Sequence, residues 1–163
     1  MSVTPSTSAP ERVSVTVMIK ASAERVWAMV SDVTRMSEWS PEVQSCAWRG
    51  GARGPAVGAR FTGRNQNGWH RWSTTCVVTV ADPGREFAFR VSVLGATVAD
   101  WSYRITPVAD GCDVTESTAD LRWRVLKVGT VPFTGVRDRA NHNRTGMEQT
   151  LARVKAAAER PTP

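Results

Sequence analysis

The sequence lacks the signatures of several protein classes. Its 163 residues include only three cysteines, Cys46, Cys76 and Cys112, and no CxxC pair or Cys/His spacing that would indicate zinc. We therefore expect reduced thiols in a cytoplasmic protein that needs no metal and no cofactor. No apolar run approaches the roughly 20 residues that span a bilayer, and the N-terminus lacks the basic and apolar segments of a secretory signal. The sequence predicts no integral membrane segment and leaves a transient contact with a membrane open.

Acidic residues are fewer than basic ones, which gives a net charge of +6. A positive excess is found in proteins that bind nucleic acids or anionic membranes. The basic residues are scattered along the chain, however, and no recognisable nucleic-acid-binding motif accompanies them. We interpret the charge as a generic arginine-rich surface and expect no nucleic-acid partner.

The sequence does contain enough apolar material for one packed domain. Hydrophobic residues make up 41% of the chain, which includes seven tryptophans, and a chain of this length usually forms a single domain. We predict a disordered lead over residues 1–11, one domain over residues 12–160 and a tail over residues 161–163. The sequence leaves open whether the domain is a monomer or a homodimer.

The front of the chain predicts one strand and two short helices. Residues 12–19, "RVSVTVMI", place apolar side chains at alternate positions, which is typical of a half-buried strand. Ser22 then supplies an N-cap for a helix with one apolar face. A second short helix is predicted from about Thr34 to Glu38, and it must end before Pro41 because a residue that precedes proline avoids the α region.

The rest of the chain changes from strand to helix periodicity. Six alternating runs predict strands: "VQSCAWRG", "ARFTGRNQ", "WHRWSTTCVVTVA", "EFAFRVSV", "TVADWSYRITPV" and "CDVTESTADLRW". Short turns join most of them, including a hairpin signal at Asn67-Gly68, so we expect an antiparallel meander. From about Thr134 to Glu159 apolar residues recur every three or four positions, which predicts one long amphipathic helix. That helix must pack against the meander, the only large apolar partner.

This order of elements resembles a known superfamily. Trp27 with Ser31-Asp32, and the stretches "EWSPE", "GARFTGRN", "FAFRV" and "WSY", are similar to the START-like helix-grip (SRPBCC) superfamily, in particular its polyketide cyclase/dehydratase and lipid-transport branch. The resemblance covers about residues 12–160 and brings no catalytic signature. It implies an α+β fold in which a curved antiparallel sheet of about seven strands surrounds a long C-terminal helix, with two short helices after the first strand. It also implies a cavity between sheet and helix.

By this resemblance the stretch "SDVTRMSEWSPEV", residues 31–43, would form the rim of the cavity. Asp32 would cap the second helix or bond the turn, and Pro41 would end that helix and start the next strand. Trp39 either plugs the end of the core or gates a ligand, and the two roles are compatible. We expect Trp39 to be partly buried, between the short helices and the strand hairpins.

The candidate site residues are polar and large apolar side chains on inward faces. Glu116 has the parity of Cys112 and Val114, so it would point into the cavity and either pair with an arginine or take up a proton. The candidates for an acid–base group are Glu116, Tyr103 and His142. The candidate ligand-binding residues are Trp39, Trp72, Phe87, Phe89, Trp101, Tyr103, Glu116, Asn143 and Met147.

Three functions follow from this arrangement. The first is binding of a small hydrophobic or amphipathic molecule of the lipid, polyketide or isoprenoid type, because an apolar cavity with a few polar groups is the usual form of a ligand site. The second is an enzyme of the cyclase or dehydratase type that uses one acid–base residue of the cavity. The third is a protein-interaction module. Fold alone does not decide among them.

Overall fold

A computed structural model describes residues 9–122, 127 and 129–161. Most of the expected lead and tail, residues 1–8 and 162–163, lies outside the described residues. The elements within them are β1 (Glu11–Ile19), α1 (Ala23–Ser31), a 3₁₀ helix (Val33–Arg35), α2 (Met36–Trp39), β2 (Val43–Arg49), β3 (Arg60–Asn67), β4 (His70–Asp82), β5 (Glu86–Val93), β6 (Ala96–Val108), β7 (Gly111–Asp120), α3 (Val131–Thr134) and α4 (Arg139–Ala158).

The seven strands form one antiparallel sheet in the order β1-β7-β6-β5-β4-β3-β2. Strands β2 to β7 are a meander, and β1 pairs with β7 at the edge, with Ile19 opposite Cys112. The sheet curves around α4, which buries Leu151, Val154 and Ala158 against it. The α+β helix-grip architecture predicted from the sequence is therefore confirmed, including the two short helical segments after the first strand.

Local capping explains where the short helices begin. The Ser22 side chain accepts a hydrogen bond from the Arg25 backbone N–H at 3.2 Å, which is the predicted N-cap. The Asp32 carboxylate caps the next segment by accepting from the Thr34 backbone N–H at 3.1 Å. That segment is a 3₁₀ turn followed by one turn of α-helix ending at Trp39, rather than a single helix from Thr34 to Glu38.

The start of the C-terminal helix differs from the prediction. The helical pattern near Thr134 belongs to the separate short helix α3, which Gly135 ends in the left-handed conformation at a φ of 68°. The long helix α4 begins at Arg139, because the Asp138 carboxylate caps it by accepting from the Asn141 backbone N–H at 3.0 Å. The predicted helix therefore began too early, because residues 135–138 between the two helices are not helical.

The predicted β3–β4 hairpin is present, and its turn determines which residue lies at the tip. Asn67 and His70 are paired, so the turn consists of Gly68 and Trp69, with Gly68 at a φ of 59°. The Asn67 side chain donates to the Thr134 carbonyl oxygen at 2.9 Å and holds α3 against the hairpin. This contact brings the hairpin and the beginning of α4 together at one end of the sheet.

Candidate functional site

A cavity of about 180 Å³ lies at that end of the sheet. The α2–β2 connection and the β3–β4 hairpin form part of its boundary, through Pro41, Glu42, Gln66 and Asn67. The N-terminal half of α4 supplies the facing wall, and Trp101 of β6 and Glu116 of β7 reach it from the sheet. The cavity is thus enclosed by segments that are far apart in sequence.

Glu116 is the ionisable group of the cavity that is most deeply buried. Strand β7 directs it inward together with Cys112 and Val114, as its parity predicted, and only 3% of the residue is exposed. Register pairs it with Tyr103 of β6, whose hydroxyl donates to Glu116 Oε1 at 2.9 Å. Glu116 Oε2 has no hydrogen-bond partner in the described part of the chain. The carboxyl therefore has one free oxygen inside the protein.

The charge state of Glu116 follows from its surroundings. Burial raises the pKa of Glu116 to about 8, although the hydrogen bond from Tyr103 opposes the shift. No arginine or lysine among the described residues forms an ion pair with it. Burial and the adjacent carboxyl also hold the pKa of Tyr103 well above its usual range. At pH 7 both groups are neutral for most of the time, and each carries a proton.

The helical wall of the cavity is made mostly of small and polar residues. Asn143 and Met147 are buried on the inner face of α4, and Thr150 lies one turn further along. Gly146 also lines the cavity, and a Cβ atom placed on it would meet nothing within 4 Å. Glycine inside a helix costs roughly 1 kcal/mol relative to alanine. Its presence here leaves open space where a side chain would fit.

A charged cluster closes one side of the cavity. The Glu42 carboxylate lies 3.2 Å from Arg139 Nη1 and 3.4 Å from His142 Nε2, which connects the α2–β2 segment to the first turn of α4. The Arg139 guanidinium also lies over the Trp72 ring, 5.8 Å from its centroid. Burial alone would raise the pKa of Glu42, but the hydrogen bond with His142 and the charge of Arg139 lower it on balance.

The predicted site residues fall into two groups. The cavity is bordered by Trp101, Glu116, His142, Asn143 and Met147. Two further candidates contact residues that border it or close it: Tyr103 bonds Glu116, and the Trp72 ring lies under the Arg139 guanidinium. Phe87 and Phe89 instead pack in the apolar core, where the Phe89 ring lies 5.2 Å from that of Phe61.

Trp39 is more deeply buried than we expected. Only 5% of it is exposed, it belongs to the apolar core, and it does not border the cavity, whereas its neighbours Ser40 and Pro41 do. The Arg35 guanidinium lies 5.0 Å from the centroid of its ring. Its indole Nε1 has no hydrogen-bond partner in the described residues. This placement matches the role of a plug at the end of the core.

Sequence reasoning missed the residues that close the cavity. Glu42 and Arg139 are 97 positions apart, and no periodic pattern links them. Asn67 was treated only as part of a hairpin signal, and Gln66 only as the end of a strand. Gly146 carried a usable signal, since an isolated glycine within a helical pattern often has a packing or functional reason.

The fold is that of a helix-grip domain, with a cavity between the sheet and the last helix. Over residues 10–159 the chain matches the family described as polyketide cyclase / dehydrase and lipid transport. The protein belongs to that family. A comparison with curated proteins found no match.

Solved structures agree with this assignment. The chain is 32% identical to a Polyketide_cyc-like protein from Corynebacterium glutamicum, with 91% of each chain covered and a TM-score of 0.60. A protein from Chromobacterium violaceum has the same fold at 16% identity, with a TM-score of 0.69 over 93% of this chain and 100% of that one. The di-domain ARO/CYC StfQ of the steffimycin biosynthetic pathway is 15% identical, with a TM-score of 0.70 over 93% of this chain and 51% of StfQ. The last two likenesses concern the fold alone.

Two further findings concern other kinds of site. In the described ranges no helix has both the length and the apolar character that a membrane crossing needs. Within the same part of the chain no three His, Cys, Asp or Glu side chains are grouped so that they could hold a metal ion.

Proposed function

We propose that the protein binds a small hydrophobic or amphipathic molecule whose polar end reaches Glu116. The observation that carries this proposal is the free Oε2 atom of a carboxyl that is buried, lines the cavity and has no cation beside it. A buried polar atom without a partner costs roughly 1–3 kcal/mol. A ligand oxygen would remove that cost by accepting a hydrogen bond from the protonated carboxyl.

The size of the cavity limits the ligand. Sites for drug-sized molecules are usually about 300–1,000 Å³, whereas this cavity measures about 180 Å³. A whole lipid or an extended polyketide chain exceeds it. We therefore infer that the cavity takes one end of a longer molecule, whose remainder stays outside it, or a compact molecule of the polyketide or isoprenoid type.

Native mass spectrometry of the purified protein, followed by solvent extraction, tests this proposal directly. We expect an adduct in the protein as isolated, or after incubation with extracted lipids, that is released by organic solvent. Gly146→Leu would fill the space next to the helix and should abolish the adduct, while Gly146→Ala should keep it. An adduct of equal abundance in Gly146→Leu would place the ligand elsewhere, and no adduct in any condition would remove the support for a binding function.

A second candidate function is catalysis of the cyclase or dehydratase type. Its support is the pKa of Glu116 near 8, since acid–base catalysis works best when the group titrates near the working pH. In such a reaction the protonated carboxyl would give its proton to a ligand oxygen, and the carboxylate would then take a proton from carbon. Glu116→Gln separates the two functions, because the amide keeps the shape but cannot transfer the proton. If the parent turns a substrate over and Glu116→Gln binds it without turnover, the result favours catalysis. If the parent shows no turnover and Glu116→Gln only changes the ligand affinity, the result favours binding.

A further inference from the structure

The outer face of strands β2, β3 and β4 is strongly basic. Arg49, Arg60, Arg64 and Arg71 are all exposed there, on the side of the sheet away from α4. None of these four forms an ion pair with any described residue. Strands β2 and β3 contain no acidic residue, and β4 contains only Asp82 at its far end. We call this surface the basic face.

The register of the strands brings two of these charges directly together. Arg49 of β2 is paired with Arg60 of β3, and like charges at opposed positions of neighbouring strands are unfavourable. On strands β5 and β6 the outer face does pair arginine with an acid. Arg90 of β5 is opposite Asp100 of β6 and bonds it through two contacts of 2.7 and 2.8 Å. The four arginines of the basic face have no such partner among the described residues, so their positive charges add.

Large apolar residues project from the end of the sheet next to the cavity. Trp69 is 83% exposed at the tip of the β3–β4 hairpin, and Leu94 is fully exposed at the tip of the β5–β6 hairpin. These two turns lie at the same end because alternate turns of a meander do. Phe133 of α3 is also mostly exposed, and α3 is held to the β3–β4 hairpin through Asn67. Exposed tryptophan, phenylalanine and leucine beside arginines are typical of surfaces that enter a lipid interface.

We propose that this end of the sheet docks the protein on an anionic membrane, with Trp69, Leu94 and Phe133 in the interface. Arg64 and Arg71, the two residues of the basic face nearest to the β3–β4 turn, would contact the lipid phosphates. The charge complementarity of the basic face argues for this occupant, and the apolar tips distinguish a bilayer from a nucleic acid, which offers phosphates without an apolar interior. The β3–β4 hairpin also borders the cavity through Gln66 and Asn67. A docked protein would thus have this side of its cavity close to the lipids. The docking proposal stands whether or not the cavity binds a ligand.

Co-sedimentation of the full chain with vesicles tests the proposal. We compare vesicles of phosphatidylcholine alone with vesicles that also contain phosphatidylglycerol, at about 0.1 M and about 0.5 M salt, which changes electrostatic screening strongly. We expect binding only to the anionic vesicles and weaker binding at high salt. Each arginine near an anionic surface contributes roughly a fivefold gain in partitioning, so Arg64→Gln with Arg71→Gln should weaken binding at least tenfold.

The matched control removes the same charge from another part of the surface. Arg85 and Arg104 are exposed and do not belong to the basic face, so Arg85→Gln with Arg104→Gln should bind as the parent does. Trp69→Ala should weaken binding while the net charge is unchanged, and thermal unfolding checks that each variant is folded. Equal binding to both kinds of vesicle, or equal losses in the two double variants, would overturn the proposal. If the protein bound duplex DNA and not the anionic vesicles, the partner would be a nucleic acid and the proposal would be wrong.

Discussion

Glu116 should make the stability of this protein fall as the pH rises. The pKa of Glu116 is about 8 in the folded protein, against an ordinary value of 4.5. Between these values the folded protein holds a proton that the unfolded chain has released, so its free energy of unfolding falls by about 1.4 kcal/mol per pH unit. The free energy of unfolding is therefore lowered by nothing below about pH 4.5, by roughly 3 kcal/mol at pH 7 and by roughly 5 kcal/mol above pH 8.

Glu116→Gln isolates this contribution. The amide resembles the protonated carboxyl in shape, and its oxygen can still accept the hydrogen bond from Tyr103, but it has no charged form. We expect similar stabilities of variant and parent near pH 4.5, and a variant that becomes more stable than the parent by roughly 3 kcal/mol at pH 7. Urea unfolding at intervals from pH 5 to pH 9, followed by circular dichroism, measures the difference as a function of pH.

A control variant makes the result specific to burial. Glu148 is exposed on α4, so Glu148→Gln removes one carboxyl from the chain without removing a buried one and serves as the matched control. A stability difference for Glu116→Gln that stays flat between pH 5 and pH 8 would refute the reasoning. It would mean that the carboxyl is solvated or compensated in the folded protein, and the argument for a neutral proton donor in the cavity would be lost.

Three other perturbations test the remaining parts of the site. Tyr103→Phe should destabilise the protein by about 1–2 kcal/mol and raise the pKa of Glu116 further, since it removes the donor that favours the carboxylate; urea unfolding and the pH trend of Glu116 measure both effects. Glu42→Gln should cost about 1–3 kcal/mol at pH 7, and less below pH 4, because the lowered pKa of Glu42 gives stability that is lost as pH falls; an equal cost at both pH values would contradict this sign. Gly135→Ala should destabilise the protein by at least about 1–2 kcal/mol, because it forces alanine to a φ of 68° against the His70 ring. Gly146→Ala should instead stabilise it by up to about 1 kcal/mol. Thermal unfolding that ranks the two alanine variants the other way would refute the reasoning for both glycines.

The strands and their inward faces were predictable because they depend on local alternation. Once β7 was recognised, parity alone placed Glu116 beside Cys112 and Val114, and the structure agrees. The division of the C-terminal helical pattern into α3 and α4 was not predicted, although Gly135 and Asp138 are the kind of residues that end and begin helices.

The charged cluster that closes one side of the cavity was not predictable, because it arises from tertiary contacts between segments that have no common pattern. Glu42 meets Arg139 and His142 only after the α2–β2 segment and α4 have both docked on the sheet. Phe87 and Phe89 were candidates for the ligand site, yet they lie in the core with Phe61, where large apolar side chains stabilise any domain.

Features that weaken the fold meet at this one cavity. Glu116 is a buried carboxyl with an unused oxygen, Gly146 weakens a helix without any close packing to require it, and Thr150 bonds back to the Gly146 carbonyl instead of contributing apolar contact. A sequence shaped only for stability would place leucine or alanine at such positions. Residues that break the local rules of stability are expected to cluster at functional sites. Their common location therefore supports the cavity around Glu116, rather than the better-packed aromatic core beside it, as the part of this protein that acts on another molecule.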